Sequence, residues 1–250
     1  MNIYIYDDYL NKPKYSRILN RVEIRLTDLN LNGKIIRLGT IRNVSDVIQN
    51  EIKNGAKTIV AVGNNQTVSK VIGAIIDNEL YGFFQKNILF SIIPIGEDNS
   101  IAESLGIKAG EEACNILLAR HIKKIDIGII NNYYFLNKVS LPSAGAVLEF
   151  KDNFSLSTNQ KGIIEIFNLR SATGDDKNLK VNPVDGLLDV YIKTGKGVKD
   201  LTRLSTDNLK ISAAGAELVV DGALSLPAPA NISIVRGKLN VVVGRDRSFD

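Results

Sequence analysis

The feature that most constrains this chain is a change of rhythm near residue 120. Upstream, short β-rich runs alternate with segments of helical spacing: "NIYIY", "YSRILNRVEIRLTDL", "GKIIRL", "VSDVIQNEIKNG" and "KTIVAV". "QTVSKVIGAIIDN" and "ESLGIKAGEEACNILLA" then add helices around the strand "NILFSIIPI". Apolar residues recurring every three or four positions argue for helix, and short unbroken apolar runs between turn residues argue for buried strands. Strands joined through helices predict a parallel sheet with helices on both faces. Sheets of this kind bind ligands beyond the carboxyl ends of their strands, in the strand-to-helix loops.

From His121 onward the alternation stops. "KKIDIGIINNYYFLNKVSL", "KGIIEIFNL", "GLLDVYI", "AELVVDGAL" and "NISIVRGKLNVVVG" are β runs separated by Gly, Asn, Asp and Pro. They predict an antiparallel β-sandwich or barrel. The expected organisation is an α/β domain over residues 1–120, a shortened β-sandwich domain over 121–250, and a small-molecule cleft between them. "RSATGDDKNLKVNP" is the loosest stretch, and "NVVVG" offers an edge through which a homodimer could form.

Composition narrows the chemistry. A chain of 250 residues that is 44% hydrophobic can bury one large core or two small ones. The single cysteine, Cys114, excludes an intrachain disulfide and a cysteine-rich zinc site, and the single histidine, His121, removes most hydrolase triads. Chemistry must rest on carboxylates, amides, hydroxyls and backbone. The net charge of +4 is spread among acidic residues and Trp is absent, which argues against nucleic acid and leaves at most peripheral contact with an anionic membrane. Apolar runs are too short to span a bilayer, and "MNIYIYDDYL" has acidic residues where a signal peptide needs basic ones, so a cytoplasmic location is expected.

Two strand-turn-helix stretches are candidate sites. In "TIVAVGNNQTVSK" the strand ends at Val62, Gly63 permits a tight turn, and Thr67 opens a helix. Asn64, Asn65 and Gln66 bring hydrogen-bonding groups without charge. The turn reads either as a phosphate site at a helix N-terminus or as an ordinary Gly-Asn turn. "SIIPIGEDNSIAESLGI" repeats the pattern through Pro94, Gly96 and a helix near Ser100. Its Glu97 and Asp98 satisfy the helix dipole themselves and repel a naked phosphate, a conflict that a divalent cation would reconcile. Asp7 and Asp8 end the first strand on the ligand side, either as metal ligands or as an exposed acidic loop. His121 is expected to end a helix, and Cys114 to lie on the apolar face of "EEACNILLA".

Five segments in order resemble the diacylglycerol kinase catalytic-domain family, which includes sphingosine kinases and bacterial lipid kinases and shares its fold with NAD kinases. "GNNQT", Gly63 to Thr67, stands where the family carries "GGDGT", and "IPIGEDNSIAESLGI" is similar to its "IPLGTGNDFARSLGI". "IDIGIINNYYFLNKVSL" looks like the strand pair opening the family's β domain. "NPVDGLLDVYI" is similar to its "P-x-A-x-x-DGLLDV", and "LVVDGAL" stands at its "V-x-x-DGE". The resemblance implies ATP and magnesium as cofactors, with phosphates at Gly63, Asn64, Asn65, Gln66 and Thr67 and a nucleotide pocket lined by Gly96 and Asn99. It implies Asp221 as general base or metal ligand for transfer of the γ-phosphoryl group to a lipid hydroxyl. It further implies a regulatory divalent cation on Asp185, assisted by the Leu187 carbonyl and Asn182. Otherwise Asp185 and Gly186 simply make a turn into a strand on which Asp189 faces outward.

The departures from the family bear on function. Asn65 replaces the loop acid and cannot accept a proton at neutral pH, Gln66 replaces a small glycine, and Ala223 replaces the glutamate beyond Asp221. "YDDYLNKPKY" stands in place of a phosphate-contacting "NP-x-S-G" turn. Loss of one positioned acid or base costs roughly 100-fold to 10,000-fold in rate. Between Leu141 and Gly162 there is little room for the elements that shape a lipid pocket. Three expectations follow: an ATP-dependent lipid kinase, a non-catalytic nucleotide- or metabolite-binding regulator of the same fold, or an NAD-kinase-like enzyme acting on a soluble dinucleotide.

Overall fold

The computed structural model describes residues 1–39, 43–81, 88–151, 154–171, 178–194 and 201–249. Positions 172–177 of the loose stretch named above lie outside them. The chain divides into two compact units, Met1–Lys124 with Leu239–Ser248, and Ile125–Lys238.

The first unit contains β1 (Asn2–Tyr6), α1 (Ser16–Asp28), β2 (Gly33–Arg37), α2 (Val44–Lys53), β3 (Thr58–Gly63), α3 (Asn65–Tyr81), β4 (Leu89–Pro94), α4 (Ser100–Ser104) and α5 (Glu112–Ala119). Two 3-10 turns, Asp8–Asn11 and Pro13–Tyr15, follow β1. β1 pairs in parallel with β2 and β3, and β3 with β4, which gives the order β2-β1-β3-β4. Every residue of β3 and β4 is buried, as central strands covered on both faces require. α1 buries Leu19, Val22 and Leu26, one stripe at helical spacing. α2 is capped by Asn43, whose side chain accepts from the Ser45 amide, and the chain leaves it through Gly55 at φ 89°.

The second unit contains β6 (Tyr133–Phe135), β7 (Lys138–Pro142), β8 (Ala146–Phe150), β9 (Ser155–Thr158), β10 (Ile163–Phe167) and β11 (Leu188–Lys193). β12 (Leu201–Thr206), β13 (Asn208–Ala213), β14 (Glu217–Val220) and β15 (Leu224–Pro227) complete it, together with most of β5 (Ile122–Ile130) and β16 (Ala230–Val242). One antiparallel sheet runs β12-β11-β10-β7-β14-β15, and the first part of β16 pairs with β13, which pairs with β8 and then β9. The two layers enclose one apolar core, with Val139, Ile164, Ile166 and Val190 from the first and Leu148, Leu209, Ile211 and Ile232 from the second. This is the expected sandwich. β8, β9, β12 and β13 stand outside the β runs read from sequence: apolar residues in β9, β12 and β13 are separated by polar ones, and the apolar run in β8 is only three residues long. β8 and β9 lie in the interval between Leu141 and Gly162.

A division at residue 120 misses a return of the chain. The end of β16 runs parallel to β4, with Asn240 opposite Leu89 and Val241 opposite Phe90, so Leu239–Ser248 belong to the first unit. Val241, Val242 and Val243 are fully buried there. The "NVVVG" run is therefore an interior strand and presents no edge for pairing between molecules.

Candidate functional site

The loop between β3 and α3 closes on itself. A Cβ on Gly63 would fall 2.2 Å from Thr67 Oγ1, so glycine is required for Thr67 to fold back against the strand end. Asn64 caps the helix, its Oδ1 lying 3.3 Å from the Thr67 amide. The Asn65 amide donates to the Asp98 carbonyl at 2.9 Å. Asn65 itself is buried, donating through Nδ2 to Ser100 Oγ at 2.9 Å and accepting at Oδ1 from the Ile101 amide at 3.1 Å. It fastens the first loop to the start of α4 and uses both ends of an amide to do so. Gln66 is exposed.

Asp7 is 7% exposed, which excludes the exposed acidic loop as a reading for this residue. Its carboxylate accepts from the Thr67 hydroxyl at 2.7 Å and lies 3.7 Å from Lys70 Nζ. A negative charge from this chain is thus held at the first turn of α3. Asp8 is exposed and accepts from Asn11 at 3.1 Å.

The loop after β4 is held in the same manner. Gly96 has φ 98°, its carbonyl accepts from Asn99 Nδ2 at 2.8 Å, and the Tyr9 hydroxyl donates to the Ile95 carbonyl. A Cβ on Gly96 would stand 3.0 Å from that hydroxyl, so Tyr9 covers the turn. Burial first, and the charge of Asp7 second, push the Tyr9 phenol well above its ordinary value, so it remains a donor. The structure brings Gly63, Asn64, Asn65 and Thr67 into one network with Asp98 and Ser100, and adds Asp7, whose hydrogen bond to Thr67 the sequence did not reveal.

In the second unit Asp221 is 6% exposed and sits with Gly222 at the centre of the turn joining β14 to β15, both at positive φ (49° and 70°). Its carboxylate accepts from the amides of Leu136, Asn137 and Lys138 at 2.9, 2.8 and 3.0 Å, and its own amide donates to the Lys138 carbonyl at 2.9 Å. Asp221 therefore shapes the connection between β6 and β7.

Asp185 is exposed, and its Oδ1 accepts from the Leu187 amide at 2.9 Å. Partial burial first, then the charges of Asp189 and Asp126, raise its carboxyl above the ordinary range. Asn182 is exposed nearby in sequence. The turn is fixed from beneath by Asp126, 2% exposed, which accepts from the Gly186 amide at 2.7 Å and the Gly237 amide at 2.6 Å. Asp126 was missed, although an acid in the midst of the apolar run "IDIGII" is the pattern of a buried carboxylate with a fixed task. Asp189 does not face outward. It is 2% exposed and accepts from Arg203 Nη2 at 2.9 Å and Ser205 Oγ at 2.7 Å. Among the described residues, no cluster of three or more His, Cys, Asp or Glu side chains is arranged to hold a metal; a site of one carboxylate and carbonyls falls outside that pattern.

The diacylglycerol kinase catalytic domain family model matches residues 4–130. A protein of Alcanivorax borkumensis described as a YegS-like lipid kinase is 29% identical over 90 residues, an alignment spanning 36% of this chain and 28% of that protein. A Bacillus anthracis diacylglycerol kinase superposes with a TM-score of 0.78 at 16% identity, covering 98% of this chain and 97% of the other. An NAD kinase from Archaeoglobus fulgidus in complex with ATP superposes with a TM-score of 0.61 at 13% identity, covering 98% and 94%. The two structures share the fold of this chain, and the match over residues 4–130 takes in both candidate loops. With that match covering half of its length, the chain belongs to the diacylglycerol kinase catalytic domain family.

Proposed function

We propose that the protein is a non-catalytic member of this family, a metabolite-binding or regulatory protein in which phosphoryl transfer to a lipid hydroxyl has been lost. The observation that carries this reading is Asn65. It occupies the position of the family's loop acid, and both ends of its side chain are engaged with Ser100 and Ile101. Asp7 supports the reading, because a carboxylate hydrogen-bonded to Thr67 repels the phosphates that an open helix N-terminus would attract. The residues of this loop do not fit a naked triphosphate. A divalent cation is a better fit at Asp185, where an oxygen donor set would suit magnesium or calcium and the bound charge would offset the field of Asp126 and Asp189.

The test is calorimetric titration with ATP, with and without magnesium, beside product assays with diacylglycerol and with NAD. Absence of product from either acceptor is expected. Phosphorylated diacylglycerol would overturn the reading in favour of a lipid kinase using Asp221, which the retained aspartate of the "DGAL" segment favours; phosphorylated NAD would favour the dinucleotide kinase.

A further inference from the structure

The first unit carries a concave surface lined by none of the candidate-site residues. A cavity of about 270 Å³ is lined by His121, Ile122, Lys123, Val243, Arg245 and Arg247. A second, of about 560 Å³, shares His121, Val243 and Arg245 with it and runs past Ile116 and Ala119 of α5 to Lys108. The cationic groups come from three distant parts of the chain: Lys108 ahead of α5, Lys123 in β5, and Arg245 and Arg247 beyond β16.

These segments are locked together by backbone. The Val243 amide donates to the His121 carbonyl, the Gly244 amide to the Leu105 carbonyl and the Ser248 amide to the Ser104 carbonyl, each at 2.8 Å. A Cβ on Gly244 would fall 1.8 Å from the Gly106 carbonyl oxygen, so only glycine lets the tail lie this close. Among the described residues, no carboxylate lines the smaller cavity. The acids on the larger are Glu112 and Asp246, and Glu112 is paired with Lys108 at 3.6 Å.

We infer that this surface binds a phosphate monoester, with the phosphate among Lys123, Arg245 and Arg247 and the uncharged part of the ester against Ile116 and Ala119. Arginine forks match phosphate oxygens two at a time, and a concave surface bearing charge of one sign raises the local concentration of counter-ions. The smaller cavity lies below the roughly 300–1,000 Å³ of sites that enclose a drug-sized molecule, which suits a phosphate group and not a whole nucleotide. The ester can be a soluble metabolite or the headgroup of a phosphatidic-acid-like lipid, since both present the same dianion.

The experiment titrates the full chain at low salt with phenyl phosphate and inorganic phosphate by calorimetry, and maps amide shifts by NMR. Binding of phenyl phosphate, shifts at 121–124 and 243–247, and at least about tenfold weaker binding in the Lys123→Gln/Arg245→Gln double variant are expected, because two charge-assisted contacts are removed. A matching melting temperature shows that the double variant is folded. Absence of binding, or unchanged affinity in the double variant, overturns the inference. Shifts confined to the Gly63–Thr67 and Gly96–Ser100 loops also overturn it and would count against the closed loop of the proposed function instead. Flotation with phosphatidylcholine vesicles, with and without phosphatidic acid, separates the sources. Retention on phosphatidic acid that is lost in the double variant supports a lipid headgroup, and phenyl phosphate binding without retention supports a soluble ester.

Discussion

Single residues decide whether the loops are open to a ligand. Asn65→Asp keeps an acceptor for the Ile101 amide and an oxygen for the Ser100 hydroxyl, so the loop is expected to hold its shape while gaining one charge. Because the closed shape is kept, magnesium-dependent ATP affinity is expected to stay unchanged by calorimetry; a rise of about tenfold, equivalent to about 1.4 kcal/mol, would mean that the turn meets phosphates and would count against the proposed function. Asp221→Asn is expected to lower stability by about 1–3 kcal/mol in urea denaturation, because three backbone amides, two of them buried, share one carboxylate and an amide side chain cannot satisfy them all. The residue type was legible in "VVDGAL", but its three amide donors were not, since Leu136 to Lys138 lie more than eighty positions away.

At the level of elements, the strands with long apolar runs and the capped helices were readable, because burial on both faces and helical spacing leave direct marks on sequence. The short strands β9, β12 and β13 were not, since residues facing solvent interrupt their apolar ones. Cys114 on α5 and Tyr4 on β1 give these elements a pH signature. Burial raises the Cys114 thiol from 9.0 to about 11 and the Tyr4 phenol from 10.0 to about 12. Both stay protonated in the folded chain after the unfolded chain has lost its proton, so their stabilisation is complete below about pH 9 and falls as pH rises through these values. Urea midpoints should decline between pH 9 and 12, and Cys114→Ala should flatten the part of the slope between 9 and 11. Asp126→Ala should cost about 2–4 kcal/mol in the same measurement, since it strands the Gly186 and Gly237 amides under the Asp185 turn.

At the scale of the molecule, the return of Leu239–Ser248 to the first unit ties the end of the chain to a sheet begun by its second residue. Removing residues 239–250 withdraws the buried side chains of Leu239, Val241, Val242 and Val243. At about 1.5–3 kcal/mol each, that loss is comparable to the whole stability of an ordinary domain, about 5–15 kcal/mol. The truncated chain is expected to lose its cooperative thermal transition by circular dichroism. Sequence by itself determined the α/β-then-β order, the parallel sheet, the family and the chemical poverty of the loop at Asn65, because each is written in local spacing or residue type. The engagement of Asn65, the placing of Asp7 against Thr67, the work of Asp126 and Asp221, and the cationic cavity behind α5 were decided only by tertiary structure. Each joins groups from distant parts of the chain, and hydrogen bonds or charges that meet through folding leave no period in the sequence.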